Sequence, residues 1–249
     1  MNAIQTLTDE ERQRYARHLN LPGFGEEAQM KLKAGSILVV GAGGLGSPVC
    51  MYLAAAGVGH IGVADGDTVD ISNLQRQIIH TTSGIGSSKA LSAAESMRAL
   101  NPDITVTPLP DMLTADNIST VIADYDFVVD ATDSFKAKFL INDACVSAGK
   151  PYSHGAIWRY EGQTMTVVPG SACYRCLFDS EPDTSTAMGP LGATAGLLGT
   201  IQAAEAIKYL TATGELLTNR LLRFNVATMQ FSTITLSPSP YCLHHHAED

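Results

Sequence analysis

The chain has 249 residues, enough for one large α/β domain or two small ones, which excludes a small scaffold stapled by disulfides. Sixteen Lys and Arg against 25 Asp and Glu give a net charge of −9, which argues against nucleic acid and anionic membrane as partners, so any polyanionic ligand must meet a local basic site. A hydrophobic fraction of 45% with 16% charged residues fits a chain folded along nearly its whole length. No apolar run approaches the ~20 residues of a membrane span. The N-terminal segment MNAIQTLTDEERQRYARHL mixes acids with bases and carries no apolar stretch ahead of a cleavage site. A soluble, cytoplasmic protein is therefore expected. Its five cysteines, an odd number, read as core residues and metal ligands rather than disulfides.

Asp9 to Leu19 is charged and helix-prone and ends at the punctuation of LPGFGEE, as an arm laid on a body. Ser36 to Val40 is a short β-branched run ending at glycine, the pattern of a strand buried on both faces of a parallel sheet. A turn and a small-residue helix follow, and His60 to Asp65 is a second strand ending in a carboxylate, which completes a right-handed β-α-β unit. Helix is expected over Ser88 to Leu100, strand over Ile104 to Pro108, helix over Ala115 to Ala123, buried strand over Asp126 to Thr132 and helix over Phe135 to Ala148. The rhythm then changes to strand-like pieces at Pro151 to Ile157, Glu161 to Val168 and Leu221 to Leu236, interrupted by one helix near Thr200 to Leu210. The expected fold is α/β, a Rossmann-like doubly wound, mostly parallel sheet continued by antiparallel strands in the C-terminal third. With no repeat and no Pro/Ser-rich linker, residues 1–249 are expected to form a single domain.

Gly41-Ala42-Gly43-Gly44-Leu45-Gly46 fits G-x-G-x-x-G directly after a strand and at the start of a helix. Gly41, Gly43, Gly44 and Gly46 would let the backbone turn tightly and approach phosphates, whose charge meets the free N–H groups of the helix N-terminus. The plainer reading is glycine used only for close helix–sheet packing. Asp65, at the end of the next strand, is placed to accept ribose hydroxyls. A nicotinamide dehydrogenase and an ATP-using adenylyltransferase both fit this far. Arg76 in ISNLQRQ and Lys89 in SGIGSSKA favour the second, because two cations have no task beside a neutral nicotinamide but would neutralise departing pyrophosphate. Asp133, in DATD at the carboxyl edge of the sheet, is the candidate for Mg²⁺ bridging ATP phosphates, whereas Asp130 lies within the strand and is open to structural hydrogen bonding. His80 and His154 read as packed or surface residues rather than catalysts.

RYARHL, VGAGGLGS, YLAAAGVG, ADGDTVDISNLQRQ, DATD, EGQ, CYRC and GTIQAAEAIKYL together resemble the ubiquitin-activating-like adenylyltransferases of bacterial sulfur-carrier pathways, the MoeB/ThiF/HesA family, over nearly the whole chain. That resemblance implies a homodimer that binds MgATP and adenylates the C-terminal glycine of a ubiquitin-like sulfur carrier ending in Gly-Gly, of thiamine or molybdopterin type, releasing pyrophosphate. It implies an ATP site at Gly41, Gly43, Asp65, Asn73, Arg76, Lys89 and Asp133, with Arg17 donated from the neighbouring subunit. It also divides the domain into an N-terminal helical arm at 1–30, a nucleotide-binding half at 31–150 and a carrier-binding and zinc half at 151–249. The chemistry suits those positions: Arg17, Arg76, Lys89 and the metal offset the repulsion between two anions, and the substrate carboxylate, already ionised, needs no general base.

Cys173-Tyr174-Arg175-Cys176 is half of a tetrahedral zinc site. Where the resembling family carries a second C-x-x-C near the C-terminus, this chain has Cys242-Leu243-His244-His245-His246, so a structural Cys₃His site of Cys173, Cys176, Cys242 and His245 is expected, with His244 and His246 as alternative fourth ligands. No cysteine occurs between Cys176 and Cys242, in the segment where many relatives carry one, and Cys50 and Cys145 read as buried helix residues. Adenylation without an enzyme thioester is therefore expected. The alternatives are adenylation of a small carboxylic acid or peptide at the same ATP site and, from another class, an NAD-dependent oxidoreductase or a non-catalytic nucleotide-binding scaffold.

Overall fold

Thr8 and Glu11 accept hydrogen bonds from each other's backbone N–H, a capping box that starts α1 (Asp9–Arg14). The computed structural model describes residues 6–180 and 189–244. α2 (Ala16–Leu19) and α3 (Gly25–Ala34) complete the arm. One continuous arm helix was expected, but the chain breaks at Tyr15, whose buried ring lies against Gly57. The polar sequence of α3 hid a helix that nonetheless buries Ala28, Gln29 and Leu32, and it runs across the expected boundary between arm and body.

The apolar runs form the centre of one eight-stranded sheet. β1 (Ser36–Val40) leads through α4 (Gly46–Ala56) to β2 (His60–Ala64), then through α5 (Lys89–Leu100) to β3 (Thr105–Leu109). The chain returns through α6 (Ile118–Ala123), β4 (Phe127–Asp130) and α7 (Phe135–Ser147) to β5 (Tyr152–Trp158). β6 (Glu161–Val167) is followed by α8 (Tyr174–Leu177), the long α9 (Gly192–Thr211), β7 (Arg220–Asn225) and β8 (Gln230–Thr235). The strand order is β3-β2-β1-β4-β5-β6-β7-β8; the first five strands are parallel and the rest antiparallel, as expected from the change of rhythm after residue 150.

Two expectations change. Leu221 to Leu236 is a hairpin that pairs Asn225 with Gln230, its turn passing through Met229 at φ 53°. α9 begins at Gly192 rather than near Thr200, because the glycines of its first half permit close approach: Gly199 lies against Leu45 and Pro48 of the α4 start. One core packs α4, α5 and α9 onto one face of the sheet around Leu53, Ile61 and Phe127. A second packs α6, α7 and α8 onto the other around Val128, Phe139 and Tyr174. The order of strand addition reverses between the parallel neighbours β1 and β4, so the loops after these two strands flank the switch point where doubly wound sheets bind ligands.

Candidate functional site

The glycine turn closes at that switch point. Gly41 adopts φ +98°, and a Cβ there would stand 2.8 Å from the carbonyl oxygen of Ala131. A Cβ on Gly46 would collide with the carbonyl of Gly41, so the turn can wind this tightly only with glycine at both positions. Asp65 braces it from the next strand: one carboxylate oxygen accepts from the Ala42 N–H at 2.7 Å and the other from the Asp67 N–H at 2.9 Å. Buried His80 supports the turn from behind, with Nε2 2.9 Å from the Ala42 carbonyl and Nδ1 2.9 Å from Ser92 Oγ. It is a packed residue, as expected; burial pulls its pKa below the ordinary value, a neutral ring bonded at both nitrogens.

Arg76 and Lys89 border the same turn. Asp70 caps the short 3₁₀ turn Ile71–Asn73 by accepting from Ser72 N–H, and the Asn73 side chain returns the bond to the Asp70 N–H at 3.4 Å. This places Arg76 with its Cγ 3.5 Å from where a Cβ would stand on Gly44, and one guanidinium N–H donates to the Ser72 carbonyl at 3.1 Å. Arg76 is half-buried, and among the described residues its other N–H groups have no partner. Lys89 is buried at the start of α5 and its Nζ lies 3.0 Å from exposed Asp67. Asp67 thus links Lys89 to Asp65, a connection the sequence did not single out. Gln77, buried with its Nε2 3.5 Å from a Cβ position on Gly43 and its Oε1 without a partner among the described residues, also escaped the sequence reading.

β4 delivers the acids. Asp130 is 1% exposed and bonded to Lys138 of α7, to Thr132 and to His154 of β5. Burial alone would raise its pKa, but the Lys138 ammonium, with His154 and Thr132, outweighs that and brings it down to about 2. Asp133 is exposed and, among the described residues, has no hydrogen bond or ion pair. A single free carboxylate suits Mg²⁺, which keeps waters and takes one or two carboxylates plus substrate phosphates. Lys138 was missed, although it lies on the apolar stripe of α7 with Ile141, Asn142 and Cys145, where a lysine signals a buried partner.

Arg17 is exposed on α2 and has no partner among the described residues. Its neighbours dock at the far end of α4: Tyr15 against Gly57, and His18 through Gln29 to the Ala56 carbonyl. The eleven residues of α4 separate that end from Gly46 by about 16 Å. The structure therefore does not bring Arg17 to the glycine turn of its own chain.

Where α8 is held to α7 by the Arg175–Asp143 pair, Cys173 Sγ lies 3.9 Å from Cys176 Sγ and 3.6 Å from Cys242 Sγ. A zinc tetrahedron of thiolates at about 2.3 Å has edges of about 3.8 Å, so the three sulfurs fit that ion. Burial, then the neighbouring Cys176, raises the Cys173 thiol, and burial raises Cys242. His244 bonds Asp143 at 2.9 Å, and Asp143 also holds Arg175, so His244 does not join the sulfur cluster. His245 and His246 lie outside the described residues, as does the 181–188 part of the cysteine-free segment. Cys50 and Cys145 are fully buried with thiols pushed up to about 12 by burial, inert as expected.

A family model described as the ThiF family matches residues 15–244. A SAMP-activating enzyme E1 of Haloferax volcanii is 45% identical over 234 residues, which span 92% of this chain and 87% of that protein. A sulfur carrier protein adenylyltransferase of Thermus thermophilus is 42% identical over 246 residues, spanning 94% and 91%. An adenylyltransferase and sulfurtransferase MOCS3-1 of Zea mays is 46% identical over 238 residues, but the match spans only 51% of it, so this chain covers about half the length of such two-function relatives. The crystal structure of E. coli MccB with ATP shares the fold at a TM-score of 0.82 and 24% identity, covering 92% of this chain and 73% of that one. Among the described residues, no helix is long and apolar enough to cross a membrane. A family match over residues 15–244, at a glycine turn braced by Asp65 and bordered by Arg76 and Lys89, leads to one assignment: the chain belongs to the ThiF family and is an adenylyltransferase.

Proposed function

We propose that the protein adenylates the C-terminal glycine of a ubiquitin-like sulfur carrier ending in Gly-Gly, in a thiamine- or molybdopterin-type pathway, and releases pyrophosphate. The observation that carries this reading is the convergence on Gly41–Gly46 at the switch point of Arg76, the turn before Asp133 and, through Asp67 and Asp65, Lys89. The N–H groups at the start of α4 and the Arg76 guanidinium receive the triphosphate, and Asp65 the ribose. A carrier carboxylate oxygen attacks the α-phosphorus, the bond from that phosphorus to the bridging oxygen breaks, and pyrophosphate leaves with the electron pair. No proton moves in this step. Mg²⁺, when held by Asp133 and the phosphates, would supply charge neutralisation on the leaving pyrophosphate.

Arg17 completes the site of a second subunit in this reading; its exposure, its lack of a partner and its distance from its own glycine turn support donation across a homodimer. Zinc at Cys173, Cys176 and Cys242, with His245 as fourth ligand, ties the tail to α8 as a structural ion. The transfer stops at the acyl-adenylate, without an enzyme thioester, because every cysteine of the chain is accounted for either in the sulfur cluster or in a helix core. Labelled pyrophosphate should exchange into ATP only when a Gly-Gly carrier is present, and Arg76→Ala and Asp133→Ala should each slow exchange about 100-fold or more; wild-type rates in both variants contradict the site.

A further inference from the structure

Thr132 has three polar groups, and a buried ion pair holds all of them. Asp130 Oδ1 accepts from the Thr132 N–H at 3.1 Å and from its hydroxyl at 2.6 Å, while Lys138 Nζ donates to the Thr132 carbonyl at 2.7 Å. Lys138 also donates to the Gly155 carbonyl of β5 at 2.6 Å and reaches both oxygens of Asp130 at 3.2 and 3.3 Å. His154, fully buried, closes the group with Nδ1 3.1 Å from Asp130 Oδ2. We infer that Lys138 and Asp130 are positioning residues of the reaction, a pair that sets the Thr132–Asp133 turn against the glycine turn and so fixes where Asp133 presents its carboxylate. This rests on the reading of Asp133 given above.

Three observations separate this from ordinary interior packing. Burying an ion pair costs several kcal/mol of desolvation and is rarely better for stability than apolar residues of the same volume, so its placement asks for another use. Three of its bonds fall on one residue of the turn, Thr132, and the others go to Gly155 and His154 of β5. That turn is also the one packed on the nucleotide loop, since a Cβ on Gly41 would stand 2.8 Å from Ala131 O and 3.3 Å from Thr132 N. Asp133 itself makes no bond among the described residues, so its place follows from the residue before it.

The test reads how much Mg²⁺ tightens ATP binding, measured by calorimetry on the whole chain with Mg²⁺ and with EDTA, alongside thermal unfolding. Asp130→Asn/Lys138→Met removes both charges together, and Thr132→Val removes only the hydroxyl link while leaving the interior intact. Both should keep the EDTA affinity within about twofold, while the gain from Mg²⁺ shrinks by about tenfold or more, the equivalent of a hydrogen bond to a charged group. In pyrophosphate exchange the loss should fall on kcat and on half-saturation by Mg²⁺ rather than on the carrier KM. A purely structural pair would lower the melting temperature and leave the Mg²⁺ gain unchanged; full gain in Thr132→Val, or in a folded double variant, overturns the inference. If Asp133→Ala also keeps the gain, the metal assignment falls with it; if Asp133→Ala loses the gain while the others retain it, only the pair's role falls.

Discussion

β4 is buried at every residue and β8 is exposed at every residue, although both belong to one sheet. The difference follows from what covers them. The parallel strands lie between two layers of helices, where a shift of a few tenths of an ångström meets a neighbour at once, as Gly41 against Ala131 shows. The outer hairpin has open area instead, with Phe231 and Ile234 half-exposed on β8. Precise placement of small groups therefore belongs to the parallel half, while the antiparallel half offers the open surface on which the proposed carrier would rest.

The strongest way to break that division is in the glycine turn. Gly46→Ala forces a Cβ into the Gly41 carbonyl, and we expect exchange to fall at least about 100-fold with a loss of stability of about 1–3 kcal/mol by urea unfolding. Arg76→Ala should cost about 100- to 1,000-fold in exchange while the melting temperature barely moves, since its role is charge neutralisation at a half-buried position. Cys173→Ser should reduce the zinc content measured by metal analysis and lower the melting temperature, yet leave ATP affinity within about twofold, because the cluster's bonds among the described residues reach one another and Ser239 but not the glycine turn.

Stability against pH sharpens the same contrast, because the titrating groups lie under the parallel half. His80 and His154 both have pKa values pulled down by burial from the ordinary 6.5. The unfolded chain then takes up protons that the folded chain resists, so their contribution is complete above pH 6.5 and erodes as pH falls below it. Asp130, depressed from 3.8 to about 2, contributes fully above pH 4 and loses about 2 kcal/mol as pH falls towards 2. Urea unfolding should show two declines, one between pH 7 and 5 and one below pH 4, and Asp130→Asn should make the second shallower, with Glu11, Asp70 and Asp143 sustaining the rest. The smallest expected effect is on β8: Phe231→Ser should change stability by no more than about 0.5 kcal/mol and leave ATP binding intact, while raising the KM for the carrier severalfold.

The parallel half was legible because its signals are local. Ser36 to Val40 ends at glycine, and Asp65 follows at the next strand end, so motif and element coincide. What escaped required tertiary partners. The charge-balanced, weakly patterned α3 is a helix because Leu32 and Gln29 find partners in the body, not because of its own periodicity. Lys138 reads as one more helix lysine until β4 and β5 bring Asp130 and the Gly155 carbonyl to it. Asp67 looked like part of a polar loop, and only the fold shows that it links Lys89 to Asp65. Cys173 and Cys176 announced themselves by spacing, and Cys242, named with them from the sequence, does come back to the pair across the 65 residues from 177 to 241.

The most direct measurement is a crystal structure of the protein with Mg²⁺ and a non-hydrolysable ATP analogue. The account predicts the triphosphate within about 3 Å of the N–H groups of Gly43 and Gly44, between Arg76 and Lys89, with the ribose on Asp65 and the metal on Asp133. A nucleotide bound elsewhere, with the glycine turn vacant and Arg76 and Lys89 directed away from it, contradicts the account.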